Sequence, residues 1–223
     1  MTLSLLFPQF SPNLYDLAVM LQADRVILQD SEPWSRKSRV HRARIRTPKG
    51  TQWINIAVRT EDRDKAIREV RIDHDRDWIT PLLRSLKYNY RNSIYYDFYE
   101  PEIRADFMAA EEYTYLLPFI LFLLNRQFQF MNLEVPYELA SDLETYTSDP
   151  DRLAEQLGAE RLFQEHDSRH YQRQAERRAE PDFEHPEYHQ HFEGFEPGCC
   201  LLDLLFQKGP ESFRIIDRLK VKR

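Results

Sequence analysis

The chain has 223 residues, with 31 Lys and Arg against 37 Asp and Glu, a formal net charge of -6 and 42% hydrophobic residues. This composition excludes a disordered chain, and the length allows one sizeable core, so a single globular domain spanning residues 1–223 is expected. The two cysteines, Cys199 and Cys200, are adjacent and cannot link distant segments, which excludes a secreted disulfide framework.

Neither a membrane span nor a signal peptide is expected. The longest apolar run, from Tyr115 to Leu124, has ten residues with Pro118 inside it, whereas a spanning helix needs roughly 20. The first residues carry no basic segment, and Pro8 and Pro12 interrupt the stretch where a signal peptide would be apolar. We therefore expect a cytoplasmic protein.

The first elements in the chain predict an α/β unit. Leu3 to Phe7 is typical of a buried strand, and a helix from Pro12 to about Gln22 follows, with Ser11 as its N-cap. Arg25 to Leu28 then returns as a second strand that closes at Asp30. Because ligands in α/β proteins bind beyond the carboxyl ends of strands, Asp30 is a candidate general base.

Two alternating segments between about residues 40 and 58 predict a β-hairpin. Val40 to Arg46 and Gln52 to Val58 both alternate apolar and polar residues. They are joined by Thr47 to Gly50, where Pro at the second position and Gly at the fourth suit a type I turn.

The hairpin would present a row of arginines on one face. A period of two places Arg42, Arg44 and Arg46 about 6.6–6.8 Å apart, and a four-residue turn sets Arg44 opposite Trp53 and Arg42 opposite Asn55. Guanidinium groups bind phosphate and carboxylate in bidentate geometry, and an indole offers a stacking surface. The alternative is a solvated face whose arginines pair with carboxylates elsewhere in the protein.

The surrounding segment is strongly cationic. From Pro33 to Thr60 there are eight Lys and Arg and no Asp or Glu, while the remaining residues have 23 basic against 37 acidic side chains. Nucleic acid is therefore a rival ligand to a small anion. The acidic overall balance and the lack of a zinc-finger, helix-turn-helix or aromatic RNA-binding motif make nucleic acid the less favoured partner.

Further elements complete a mixed α/β fold with the hairpin and helices packed on a sheet. Glu69 to Ile72 is typical of a strand, and a helix is predicted from Pro81 with Thr80 as its N-cap. Glu111 to Asn125 predicts a helix that Pro118 kinks or splits.

The C-terminal part predicts three short helices. The first opens at Asp149–Pro150 and ends at Gly158, the second covers Cys199 to Gln207, and the last runs to Leu219. The order of the strands is not readable from the sequence.

A polar, loop-rich segment is expected at about residues 160–196. It contains five of the seven histidines among alternating acidic residues and arginines. His166 and His170 stand at i, i+4 spacing, but without an HExxH pattern or a cysteine partner the spacing is weak evidence, and no metal site is predicted.

Two residues near the C-terminus have several interpretations. Asp203 has apolar neighbours on both sides, so it lies either on an exposed helix stripe or in the core with a partner or a raised pKa. Asp203 and His185 are reserve candidates for a catalytic acid. Cys200 is a nucleophile only if its pKa is lowered, and a free cysteine is more often a small core residue.

Three groups of residues together resemble the WbqC-like protein family. The first group is Pro8, Pro12, Ala23–Asp24, Asp30, Ser38, Arg42, Arg44–Ile45, Thr47–Gly50 and Gln52–Trp53. The second is Trp78, Ser85–Leu86, Asn89–Tyr90 and Tyr95. The third is His185–Pro186, Tyr188, Gln190, Phe195, Pro197, Leu202–Phe206 and Gly209, which is similar to an HPxYxQ element followed by an LDLLFN signature.

The chain departs from the family pattern, as a divergent member would. Pro81–Leu82 stands where the family carries a Lys-His pair, His41 replaces an Asn, and Cys200 and Gln207 replace a Ser and an Asn. An acid or base carried by the Lys-His pair would be missing here.

The resemblance implies a transferase that modifies a sugar or nucleotide-linked sugar during surface polysaccharide or O-antigen synthesis, because such genes accompany the family. It also implies substrate contacts at Asn89, Tyr90, Tyr188 and Gln190. We expect an anionic sugar-phosphate substrate held by Arg42 and Arg44. The alternatives are an inactive ligand-binding or scaffold protein of the same family and, less favoured, a nucleic-acid-binding protein. The sequence identifies neither a cofactor nor an oligomeric state.

Overall fold

A computed structural model describes residues 1–220 of the chain. The strands within that range are β1 (Thr2–Leu6), β2 (Arg25–Leu28), β3 (Arg42–Thr47), β4 (Gly50–Asn55), β5 (Glu138–Leu139) and β6 (Arg161–Gln164). The α-helices are α1 (Leu14–Gln22), α2 (Ile79–Tyr90), α3 (Tyr96–Met108), α4 (Leu116–Phe130), α5 (Pro150–Gln156), α6 (Leu201–Lys208) and α7 (Ser212–Ile216). The prediction of a mixed α/β fold is confirmed.

Four parallel strands form a sheet in the order β5-β2-β1-β6. The predicted unit of β1, α1 and β2 is confirmed, since β1 and β2 pair in parallel with Leu3 opposite Arg25. Leu3 and Leu5 pack with α5 on one face of β1, and Leu6 packs into the larger core on the other face. A central strand buried on both faces explains the nearly continuous apolar sequence of β1.

The predicted hairpin is confirmed down to its register. Strands β3 and β4 are antiparallel, with Arg44 opposite Trp53 and Arg42 opposite Asn55. Ala43 is buried in the core, whereas Arg42 and Arg44 on either side of it are half-buried on the opposite face. The hairpin is thus anchored by one face and free to present cations on the other.

Helix α6 is the centre of the larger core. Every residue from Leu201 to Gln207 is buried, and the helix packs against α3, α4, α7 and β3. An apolar helix that is buried on all sides must satisfy any polar side chain it carries from within the protein. That condition applies to Asp203, which is fully buried.

Two predicted helix starts differ from the structure. Helix α1 begins at Leu14, and its N-cap is Asn13, whose side chain accepts a hydrogen bond from the backbone N–H of Asp16 at 2.9 Å. The Ser11 hydroxyl instead donates to Gln127 at 2.6 Å, so tertiary contacts decided which residue caps the helix. Helix α2 begins at Ile79, two residues before Pro81, which the first turn of a helix tolerates.

The region between α2 and α4 differs most from prediction. Helix α4 begins at Leu116, so Pro118 lies in its first turn and does not kink it. The strand predicted at Glu69 to Ile72 is a 3-10 helix over Ile67–Glu69 followed by isolated bridge positions, and α3 was not predicted at all. None of the helices within residues 1–220 is long and apolar enough to cross a membrane.

The segment after β6 is loop-rich, as predicted, but it is not uniformly exposed. Residues 165–200, all of them described, contain neither helix nor strand apart from isolated bridge positions. Glu165, Gln172 and Gln190 are nevertheless buried, because the segment folds back over β1, α1 and the hairpin. Its polar residues therefore contribute to the interior.

Gly209 is required where α6 ends. Its φ is +49°, and an added Cβ would lie 2.5 Å from the Tyr95 ring, whereas Gly158 has a φ of +69° with open space around it. Gly209→Ala should lower the free energy of unfolding by about 2–4 kcal/mol, the sum of backbone strain and overpacking, and Gly158→Ala by about 1 kcal/mol from strain alone. Denaturant titration of both variants measures the difference. Equal losses would show that the Tyr95 ring moves aside freely.

Candidate functional site

A cavity of about 260 Å³ lies between the hairpin and the loops that follow β1 and β6. We call it the arginine cavity and define it by six lining residues, Asn13, Lys37, Arg42, Arg44, Trp53 and Tyr171. It therefore lies beyond the carboxyl ends of two neighbouring parallel strands, where α/β proteins bind ligands.

Arg42 and Arg44 both line this cavity and both contact one indole ring. The Cζ atom of Arg42 is 4.3 Å from the ring centroid of Trp53, and that of Arg44 is 4.9 Å away. Such cation–π contacts fix the positions of the guanidinium groups. Trp53 therefore acts on the two arginines, in addition to the ligand-stacking role predicted for it.

Neither arginine has a carboxylate within 4.0 Å among residues 1–220. Arg42 donates to the backbone oxygens of Ser38, at 3.0 Å, and of Lys37. Burial lowers the pKa of Arg42, and the nearby charges of Arg39 and Arg44 lower it further. Asp167 also lines the cavity, so the cavity holds positive charge that has no direct carboxylate partner among residues 1–220.

Arg46 does not belong to this group, although it shares their strand face in sequence. It is buried, and its guanidinium donates to Gln190 at 3.1 Å, to the Gly50 oxygen at 3.0 Å and to the Glu193 oxygen at 2.6 Å. The expected row of three converging arginines is therefore wrong at its third member, because the loop over residues 190–193 covers it.

Four predicted site residues meet in a sealed polar network. The carboxylate of Asp203 accepts hydrogen bonds from Tyr90 at 2.7 Å, Tyr188 at 2.5 Å and Gln190 at 3.1 Å. The Tyr90 hydroxyl also accepts from the backbone N–H of Arg46 at 2.9 Å. Burial raises the pKa of Asp203 while these donors lower it. The network joins α2, α6 and β3 but does not line the arginine cavity.

Asp30 and His185 also lie outside the arginine cavity. Asp30 follows β2 as expected, but it is fully buried and its carboxylate accepts from the Ser141 backbone at 2.9 Å and hydroxyl at 2.7 Å. The His185 Nε2 accepts from the Gly198 N–H at 3.2 Å, and burial lowers its pKa. The catalytic roles of these residues stay predictions, and the structure gives them contacts that organise loops.

Asn55 and Asn89 lie in different environments. Asn89 is buried in α2, where its side-chain nitrogen donates to the Ser85 oxygen at 2.8 Å. Asn55 is exposed and lines a second cavity of about 770 Å³, which shares Arg42 and Trp53 with the arginine cavity. Pro81 and Leu82, which stand where the family carries its Lys-His pair, line this second cavity as well.

Sequence reasoning missed a buried acidic cluster beside the arginine cavity. Arg39 pairs with Asp16 at 2.6 Å and lies 3.8 Å from Glu165, which accepts from the Tyr171 hydroxyl at 2.6 Å. Two carboxylates thus share one guanidinium. Burial raises the pKa of Glu165 to about 7, and the charge of Asp16 raises it further against the opposing effects of Arg39 and Tyr171. Because the segment around Glu165 is polar throughout, no pattern in its sequence indicated that this side chain is buried.

Two helices begin at the arginine cavity. Asn13, the N-cap of α1, and Cys200, the N-cap of α6, form an isolated antiparallel bridge and both line the cavity. The positive ends of both helix dipoles add to the cationic potential there. Burial raises the pKa of Cys200 to about 11, so its thiol stays protonated near neutral pH and is a poor nucleophile.

The histidine cluster does not assemble into a metal centre in the part of the chain that the structure describes. His166 and His170 both line the arginine cavity, but within residues 1–220 no three His, Cys, Asp or Glu side chains are arranged to hold a metal ion.

The fold and the cavity together define an α/β protein with a cationic pocket beside an arginine-bearing hairpin. The chain belongs to the WbqC-like protein family, whose family model matches residues 8–215. It is similar to the uncharacterized protein Rv1507c of Mycobacterium tuberculosis (strain ATCC 25618 / H37Rv), with 28% identity over 204 residues, which are 85% of this chain and 86% of that protein. No solved structure gives a significant match. The resemblance drawn from the sequence motifs is confirmed.

The Asp203 network predicts a measurable stability loss. Tyr90→Phe removes one hydroxyl that serves two buried partners, the Arg46 N–H and the Asp203 carboxylate. Leaving them unsatisfied should lower the free energy of unfolding by about 1–3 kcal/mol, measured by denaturant titration. Tyr88→Phe on the exposed side of α2 is the matched control and should change it by less than about 0.5 kcal/mol. Equal effects would contradict the network's role.

The pKa of Glu165 predicts a pH-dependent stability. Because the folded-state pKa of about 7 lies above the ordinary glutamate value of 4.5, Glu165 loses its proton first in the unfolded chain as the pH rises. The contribution of Glu165 to the free energy of unfolding is therefore fully present below pH 4.5 and is lost as the pH rises through about 7. Glu165→Gln, which is isosteric with the protonated acid, should remove this loss.

The measurement is the difference in Tm between wild type and Glu165→Gln from pH 4.5 to 8, with exposed Glu155→Gln as the control. We expect the Glu165→Gln variant to gain stability relative to wild type as the pH rises. A difference that stays constant over this range would mean that Glu165 is ionised throughout.

Proposed function

We propose that the protein is a transferase that modifies a sugar or nucleotide-linked sugar in surface polysaccharide synthesis, and that Arg42 and Arg44 hold the phosphate of its substrate. The reaction class is supported by membership of the WbqC-like family and by the association of that family with surface polysaccharide genes. The proposal of a phosphate-bearing ligand depends on one observation. Two half-buried guanidinium groups line one cavity without carboxylate partners.

An anionic ligand is favoured because positive charge is costly to bury without a partner. A guanidinium removed from water needs compensation, and Arg39 and Arg46 in the same segment obtain it inside the protein. Arg42 has only two backbone oxygens as partners and Arg44 contacts Trp53, and neither meets a carboxylate among residues 1–220, so a phosphate would supply the missing negative charge. Two adjacent guanidinium groups suit a phosphate or diphosphate because each offers parallel N–H donors.

Tyr171 connects the cavity to Glu165. Tyr171 lines the cavity together with His166, Asp167 and His170, and its hydroxyl donates to Glu165. Glu165 has a pKa of about 7, near the value at which an acid–base group works most efficiently at neutral pH. In this arrangement Tyr171 contacts the substrate, and Glu165 accepts or returns the proton through it.

An inactive ligand-binding protein of the same family is the second candidate, because Pro81 and Leu82 stand where the family carries a basic pair. It would keep the anion cavity and show binding without product. Nucleic acid stays the less favoured partner. Its backbone needs an open cationic stripe, whereas Arg39 and Arg46 are engaged internally and Arg42 and Arg44 face a concave cavity.

The anion clamp is tested by calorimetric titration with UDP and with inorganic pyrophosphate. Replacing Arg42 and Arg44 together by Ala should weaken both affinities at least about tenfold, since two charge-assisted contacts are lost. Arg152→Ala on the exposed side of α5 removes the same type of side chain away from the cavity and should leave the affinities unchanged. Unchanged affinity in the double variant would overturn the clamp.

A salt titration with random-sequence RNA separates the nucleic-acid alternative. Backbone binding would give an affinity that falls steeply with salt concentration. We expect no such binding; a steep slope that the double variant abolishes would favour the RNA-binding alternative over the small-molecule ligand.

A further inference from the structure

All three tryptophans of the chain line the second cavity. Trp34, Trp53 and Trp78 border it, together with the start of α2 and strand β4 of the hairpin. Trp34 and Trp78 are largely buried and so form rigid walls, whereas Trp53 is half-buried. We call this space the tryptophan cavity, defined by these three residues with His41, Asn55 and Ser85.

The two cavities share part of their walls. Arg42 and Trp53 line both the arginine cavity and the tryptophan cavity. The arginine cavity, at about 260 Å³, is below the roughly 300–1,000 Å³ typical of ligand pockets. It has room for a phosphate or diphosphate but not for a large attached group. The tryptophan cavity, at about 770 Å³, has that room.

Four charged side chains line the tryptophan cavity, Arg36, Arg42, Arg76 and Asp77, and beside them lie the polar side chains of His41, Asn55, Thr60 and Ser85. Burial lowers the pKa of His41 to about 4, helped by Arg42 and Arg36, so this imidazole is neutral. The Trp34 indole N–H donates to His41 Nδ1 at 3.3 Å, and an indole nitrogen is a donor only, so the remaining His41 proton is on Nε2. His41 therefore supplies a neutral donor, beside the Asn55 amide and the Ser85 hydroxyl.

We propose that the tryptophan cavity is the subsite for the saccharide ring of a substrate whose phosphate lies between Arg42 and Arg44. A sugar ring has apolar C–H faces, which pack on indole rings, and hydroxyl edges, which both donate and accept hydrogen bonds. The cavity offers aromatic surface together with neutral donors and acceptors at Asn55, Ser85 and His41. This inference rests on the proposed function for the position of the phosphate.

The three tryptophans also provide the readout. The full chain labelled with 5-fluorotryptophan gives three fluorine resonances, which single Trp→Phe variants assign to Trp34, Trp53 and Trp78. The probes are inorganic pyrophosphate, UDP and a panel of glucose, galactose and N-acetylglucosamine 1-phosphates. We expect pyrophosphate to shift Trp53 alone, and at least one sugar 1-phosphate to shift Trp34 and Trp78 as well.

Each of three other outcomes would overturn part of the proposal. Sugar phosphates that shift only Trp53, or that do not bind while pyrophosphate does, overturn the saccharide subsite and leave the anion clamp intact. A shift of Trp34 and Trp78 by UDP without one by any sugar 1-phosphate means that the cavity takes a nucleobase instead. A protein that responds to none of the probes contradicts the clamp and the subsite together.

An Asn55→Ala variant separates the two cavities by affinity. Asn55 is exposed, so its replacement should not disturb the fold. We expect about a tenfold weaker affinity for the responding sugar 1-phosphate, as for the loss of one or two hydrogen bonds, and an unchanged affinity for pyrophosphate. Exposed Asn92→Ala is the matched control and should change neither. An equal loss for both probes would mean that Asn55 does not contact the sugar.

Discussion

The hairpin that carries the candidate site is held in place by one buried carboxylate. Asp203 lies on α6, in the middle of the core, and cannot be left without partners there. Its donors come from α2, through Tyr90, and from the loop after β6, through Tyr188 and Gln190. Two of these donors also bind Arg46 on β3. Satisfying one buried carboxyl group therefore holds α2, β3 and the loop after β6 against α6.

The role of each arginine in the cationic segment depends on the groups that its guanidinium contacts. Arg39 reaches two buried carboxylates and Arg46 is enclosed by carbonyl oxygens, so both stabilise the fold. Arg42 and Arg44 meet Trp53 instead, which positions a guanidinium without neutralising it. A single segment thus supplies both structural cations and, at Arg42 and Arg44, the cations without a carboxylate partner on which the proposed ligand depends.

The arginine cavity lies at one half of the carboxyl edge of the sheet. The loops after β1 and β6 supply the floor of the arginine cavity and the Tyr171–Glu165 pair. The loops after β2 and β5 meet in the contact between Asp30 and Ser141, which is closed. The general rule for α/β sheets therefore indicated the edge at which the arginine cavity lies, but the strand order is not readable from the sequence, and Asp30 follows β2, on the other side of β1 from β6.

Local patterns were sufficient for the fold class, the β1-α1-β2 unit, the hairpin register and the family, because alternation, turn residues and motif spacing depend on near neighbours in the chain. They placed Arg42, Arg44 and Trp53 together for the same reason. Only the tertiary structure decided that Arg46 is covered, that Asp203 is sealed by two tyrosines and that Glu165 lies under the cavity. Burial and pairing of a charged side chain depend on segments more than a hundred residues away, and no local pattern contains that information.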